Sequence, residues 1–224
     1  MNKKTKKKIQ IAEAAADRYL ENERFSYESL AEKLGMDVKE IMEHFPSRRT
    51  MLEFYYEAQF IRYQEISSKI EEYDQFSLAE KTSNLILTLF DLFSEKREFI
   101  AKSYNRIIVC KGSVTEFEKK ILSQFDEFIS ADQNTSTIMG LLNSSVLHKV
   151  LLYHFHGFVK FWIKDNSENF QKSMELIDKW TALFESVAYS DVTDKAASLA
   201  KFLAYNSPFK DCKLKPKRMG ESNE

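Results

Sequence analysis

Residues that break helices are scarce in this sequence: its 224 residues include only five Gly and three Pro. Between these breaks, apolar residues recur every three to four positions, the period of one buried helix face. The pattern predicts an all-α protein of about nine or ten helices. A chain of this length buries a substantial core, as one large domain or as a small domain joined to a larger one, and needs no disulfide scaffold.

Lys and Arg number 33 and Asp and Glu 34, a formal net charge of −1. No global field steers polyanions toward such a chain, so any nucleic-acid surface must be local. The N-terminus is basic, but Glu13 and Asp17 interrupt the apolar core that a signal peptide requires. No stretch approaches the roughly 18 apolar residues of a membrane helix. Even LHKVLLYHFHGFVKFWI carries Lys149, Lys160 and three histidines. A cytoplasmic protein with no membrane partner is expected. Cys110 and Cys212 stand alone, as free thiols do in a reducing compartment. His154 and His156 lie two residues apart and point about 200° from each other on a helix, and His148 adds no carboxylate, so a metal site is disfavoured. With no nucleotide-binding, HExxH or GxSxG motif, neither a cofactor nor an enzymatic activity is expected.

Along the chain, Ile9, Ala12, Ala16 and Tyr19/Leu20 mark a first helix from Thr5 to about Asn22, behind a lysine-rich leader. Ser26 caps a short helix ended by Gly35 in a left-handed turn, and Asp37 caps the next, with Val38, Ile41, Met42 and Phe45 facing inward. Pro46 stops that helix. Two short helices joined by a tight turn and braced by a preceding helix form a helix-turn-helix head over residues 1–47. A connecting helix over 48–73 opens a helical domain that extends to residue 206. Further helices are predicted near 78–94, 97–109, 114–130, 146–164, 168–189 and 193–205. The polar loop 131–137 is the most mobile connection expected, and the basic tail 207–224 is read as disordered.

From Ile9 to about Ala58 the chain resembles the TetR family of bacterial transcriptional regulators. The likeness rests on AEAAADRYL, LAEKLG and MEHFPSRRTML, with Leu30-Ala31, Gly35, Ile41, His44-Phe45, Ser47, Arg48 and Leu52 in the family's places. It implies a DNA-binding head, a C-terminal domain that binds a small ligand and dimerises, and a homodimer acting on a palindromic double-stranded operator as a repressor. Met42 stands where the family commonly has Tyr, and Glu40 where it often has a small or Thr residue.

Acidity in the second helix of the motif is the feature to explain, since residues 1–65 hold twelve basic and twelve acidic side chains. A carboxylate about 4 Å from a phosphate costs on the order of 1 kcal/mol in water and more when desolvated. Candidate DNA contacts are Lys6 and Lys7 of the leader, read as a basic arm, Ser26, Lys39, Glu40, His44, Arg48 and Arg49. Glu40 either accepts from a cytosine amino group or belongs to a solvated face.

Beyond the head the chain is rich in aromatic residues. Phe90, Phe93, Tyr104, Phe125, Phe128, Phe155 and Trp162 are candidates for an apolar ligand pocket, with ordinary core packing as the alternative for each. Leu151, Phe158, Ile177 and Phe184 lie on stripes of two antiparallel helices and are candidates for a four-helix dimer interface. A second functional class stays open: a lipid or isoprenoid binder of the same fold that no longer binds DNA.

Overall fold

The computed structural model describes residues 1–136, 145–190 and 195. These contain nine α-helices: α1 (Lys3–Glu21), α2 (Tyr27–Leu34), α3 (Val38–His44), α4 (Arg48–Ser67), α5 (Leu78–Ser94), α6 (Arg97–Ile107), α7 (Glu116–Ala131), α8 (Ser145–Lys164) and α9 (Gln171–Tyr189). The helix expected near 193–205, the tail from 207 and Thr137 of the polar loop lie outside the described residues.

Local chemistry sets most helix starts. Asn2, Ser26, Asp37, Ser47, Ser77 and Thr115 each accept a backbone N–H of the first turn, a contact worth about 1 kcal/mol apiece. At Ser77 and Thr115 a glutamate three residues on returns the bond. The largest boundary departure is in α4, which ends at Ser67, not Tyr73. The segment from Gln64 to Glu72 is mostly polar and gives a longer helix little to bury, so the chain turns through Glu72 in the left-handed region (φ 57°).

Helix α4 is the spine of the molecule. Met51, Leu52, Phe54, Tyr55, Tyr56, Ala58, Gln59, Phe60 and Tyr63 are all buried, around most of the helix, while the stripe of Glu53, Glu57, Ile61 and Gln64 stays partly open. Such a helix must be wrapped by others, and α1, α5, α6 and α7 pack around it. Tyr56 sits at the centre, its ring 5.7–5.9 Å from those of Phe93, Phe99, Tyr104 and Phe117. The Ser103 hydroxyl donates to the Phe99 carbonyl (2.7 Å), so Tyr56 donates to Ser103 (2.5 Å). Burial pushes the Tyr56 phenol far above its ordinary value and keeps it a neutral donor.

Helix α9 runs along α5, where the Ser83 and Thr181 hydroxyls meet at 3.0 Å. The buried residues form one cluster from Ile9 to Ala188, so the first three helices share their core with the rest of the chain. Ion pairs join them on the outside: Arg62 bridges Glu13 and Glu95, Asp17 meets Lys96 and Lys33, and Arg106 meets Glu23.

Polar contacts fix the turn from α8 to α9. Asp165, 5% exposed, accepts from the backbone and hydroxyl of Ser167 (2.9 and 2.6 Å) and of Ser173 (2.8 and 2.6 Å). Arg97 donates to the carbonyls of Trp162, Ile163 and Asp165 at the end of α8. Asn169 and Phe170 adopt φ of 48° and 57°, a conformation non-glycine residues hold only where surroundings enforce it. Here the Phe170 ring is held against Trp162 (5.6 Å) and Arg97 (4.8 Å).

Hydrogen bonds from Ser167 and Ser173 hold the Asp165 carboxyl well below its usual value. The ionised form therefore stabilises the fold at neutral pH, and that contribution is lost as the pH falls through the ordinary carboxylate range near 4 and below. In urea unfolding, Asp165→Asn should be less stable than wild type at about pH 7, and the gap should narrow toward about pH 3.

Candidate nucleic-acid interface

The turn between α2 and α3 depends on Gly35, which ends α2 with φ 62° and ψ 35° and donates to the carbonyls of Ala31 and Glu32. Met36 N–H returns to Ala31 O at 3.1 Å. The Tyr27 hydroxyl, at the start of α2, donates to the Phe45 carbonyl at the end of α3 (3.0 Å), fixing the second helix against the first. An α-helix turns about 100° per residue. Val38, Ile41 and Phe45 accordingly share the inward stripe, and Met42 joins Lys39 on the next. Met42 is thus 49% exposed, contrary to the inward position expected from sequence. The outward face of α3 presents Lys39, Met42 and Glu43, with Glu40 and His44 half-buried at its margins.

The expected basic arm is instead the first turns of α1. Lys3, Lys4 and Lys6 are exposed there, because Asn2 caps the helix ahead of them. Lys7 reaches across to α3 and pairs with Glu40. Lys8 turns inward, its ammonium 4.1 Å from the Phe54 ring centroid and 5.1 Å from that of Phe45, a cation–π arrangement. Arg48 donates to the Phe25 carbonyl (2.7 Å) and Arg49 pairs with Glu53 (2.9 Å). Both arginines are exposed but anchored to the protein. Ser26 serves as the α2 cap. Lys6 and Lys39 are exposed and join none of the ion pairs among the described residues. Asp37 is a cap, accepting from Lys39 N–H at 2.7 Å. Of the acids in this stretch, Glu43 lies exposed on the outward face while Glu40 is answered by a lysine.

In the body, Phe93, Tyr104, Phe125, Phe128 and Phe155 pack into the core. Only Phe90 and Trp162 of the seven pocket candidates reach a described hollow. It holds about 190 Å³ between α5 and the α8–α9 turn and is also lined by Leu87, Asp91, Phe170 and Met174. The chain itself covers Leu151, Phe158, Ile177 and Phe184, at 0–8% exposure. The open apolar positions on these two helices are others: Val146, Val150, Tyr153 and Phe161 on α8, and Met174, Leu183 and Val187 on α9.

The three histidines of α8 are divided among separate partners. His148 meets Asp126, His154 meets the Val150 carbonyl, and His156 joins Tyr104 (2.8 Å) to Glu118 (3.0 Å). A neutral His156 accepting from Tyr104 and donating to Glu118 satisfies all three groups. Burial alone would raise the Glu118 carboxyl, but hydrogen bonds from His156 and Thr115 outweigh it and hold the group below its usual value. Sequence reading missed this chain, although Thr115-x-x-Glu118 is a capping-box spacing that placed Glu118 at a helix start. Among the described residues no cluster of three metal-ligating side chains occurs, and no helix is long and apolar enough to cross a membrane.

A helix-turn-helix head sharing its core with a larger helical body defines the class of protein. A family model for the tetracyclin repressor-like C-terminal domain matches residues 81–203, more than half of the chain, and the chain belongs to this TetR family. Among solved structures, that of the TetR transcriptional regulator from Nitrosomonas europaea ATCC 19718 is similar in fold. Its TM-score is 0.53 at 14% identity, covering 77% of this chain and 94% of that one. A comparison with curated proteins finds no match.

Because a Cβ at Gly35 would meet nothing within 4 Å, substitution there costs only backbone strain. Gly35→Ala should destabilise the chain by about 1 kcal/mol and Gly35→Asn by less in urea unfolding.

Proposed function

We propose that the protein is a DNA-binding transcriptional regulator that acts as a homodimer on a palindromic operator and is released from it, as a repressor, by a small apolar ligand. The observation that carries this reading is the outward face of α3. On a capped, Gly35-hinged second helix, Lys39, Met42 and Glu43 stand clear of the rest of the chain, as a helix that enters the major groove requires. Exposed lysines at the start of α1 and the anchored Arg48 and Arg49 at the start of α4 supply positive charge on either side. A solved TetR transcriptional regulator shares the fold.

For the dimer, the two helices α8 and α9 offer Tyr153 at 77%, Val146 at 63% and Leu183 at 62% exposure. Two such helices and their symmetry copies make a four-helix contact. For the ligand, the stacked Phe90 and Trp162 rings (centroids 5.4 Å apart) and Phe170 offer apolar faces. Their hollow is smaller than the ~300–1,000 Å³ typical of drug-sized sites, which favours a compound with a single ring. An occupant there touches α5 and the turn joining the two proposed dimer helices, so it biases the spacing of the heads. A preference of a few kcal/mol between the two spacings suffices for release. A lipid carrier would need the body aromatics to line a long cavity, whereas among the described residues they pack on one another.

Titrating the protein with pooled genomic fragments at increasing salt tests the central reading. Sequence-selective binding that falls steeply with salt is expected, and no binding at low salt would overturn it. In sedimentation, the double substitution Tyr153→Glu with Leu183→Glu should give a folded monomer whose operator affinity drops at least about tenfold, since one head loses the second half-site. A variant that still sediments as a dimer would refute this face.

A further inference from the structure

We infer that Glu40 and Lys7 form an exchangeable pair that ties base identity to a phosphate contact. Lys7 lies on the second turn of α1 and Glu40 in the first turn of α3, 33 residues away in sequence, and their side chains meet at the surface with 36% and 37% exposure. Neither side chain is locked in place by burial. Lys3, Lys4 and Lys6 stand exposed on the same end of α1, so this end presents four ammonium groups and only Lys7 has an acid from α3 opposite it.

The inference rests on the DNA-binding reading above. Without DNA, Lys7 neutralises the carboxylate that would otherwise repel the phosphate backbone. On DNA, a phosphate competes for the Lys7 ammonium, and if it wins, Glu40 is left in the groove as a bare carboxylate. A carboxylate can only accept hydrogen bonds. In the major groove guanine shows acceptors alone and thymine an acceptor and a methyl group, adenine pairs its donor with an adjacent acceptor, and the cytosine amino group is a donor. Lys7 therefore moves to phosphate at no net loss only where cytosine is there to receive Glu40. With another base, Glu40 keeps Lys7 and the phosphate contact is forfeited as well. One mismatch is felt twice, and an acid in a recognition helix becomes a means of selection.

Site selection from a randomised duplex library with the full chain tests this, followed by salt titrations on the selected operator and its single-base variants. Wild type should select cytosine at one position per half-site. Glu40→Gln should select adenine there, because an amide both donates and accepts, and should bind non-selected DNA about threefold or more tightly. The slope of log K against log salt should be steeper by about one per half-site on the cytosine operator than on its variant, reflecting one extra phosphate neutralised. In Lys7→Met that difference should vanish while the cytosine preference persists. If wild type selects a sequence but Glu40→Gln selects the same base at every position, or if the two slopes agree, the exchange is overturned and the regulator reading stands. If wild type selects nothing, both fall.

Discussion

A helix buried around most of its circumference cannot be placed until its neighbours are in place, and α4 is such a helix. Its residues face α1 on one side and α5, α6 and α7 on the others, and Tyr56 joins α5, α6 and α7 through four ring contacts and one hydroxyl bond. The head therefore does not hang from the body by a linker. The same helix that begins with Arg48 and Arg49, just after α3, carries Tyr63 in the deep core fifteen residues on. Any change in how the body grips α4 is a change in where the head points.

Much of this was legible because it is local. Gly35 at a left-handed C-cap, the caps at Ser26 and Asp37, and the start and end of α5 follow from residues within one turn of each other. What could not be read lies in long-range partnership. Periodicity shows that Leu151, Phe158, Ile177 and Phe184 are buried but not whether a neighbouring helix or a second subunit does the burying, and here the chain itself does. Nor does a lysine-rich start disclose that Asn2 winds it into helix and turns Lys7 toward Glu40. The left-handed Asn169 and Phe170 carry no glycine signal, so only the packing of Phe170 on Trp162 and Arg97 reveals them. Met42 departs from its expected position for a simpler reason: in a seven-residue helix one step of about 100° separates the core from the outward face.

The ion pairs of the head answer the question its sequence raises. Twelve acids balance twelve bases over the first 65 residues, yet most of the acids are consumed within the protein. Glu13, Asp17 and Glu23 hold the head to the body, Asp37 caps α3, Glu53 meets Arg49, and Glu40 meets Lys7. Exposed pairs of this kind contribute little stability, about 0–1 kcal/mol each. Their weight lies in where they leave charge unspent, and along the outer rim of α1 and α3 that is chiefly lysine.

The single core running from Ile9 to Ala188 bears on how such a chain can change over generations. A substitution among the ring contacts of Tyr56 alters the fit of the body and the stance of the head together, because the same side chains support both. Any reshaping of that interior would move the head at the same time. The hollow beside Phe90 and Phe170, at the margin of the core, is where side chains have room to vary while the head keeps its stance.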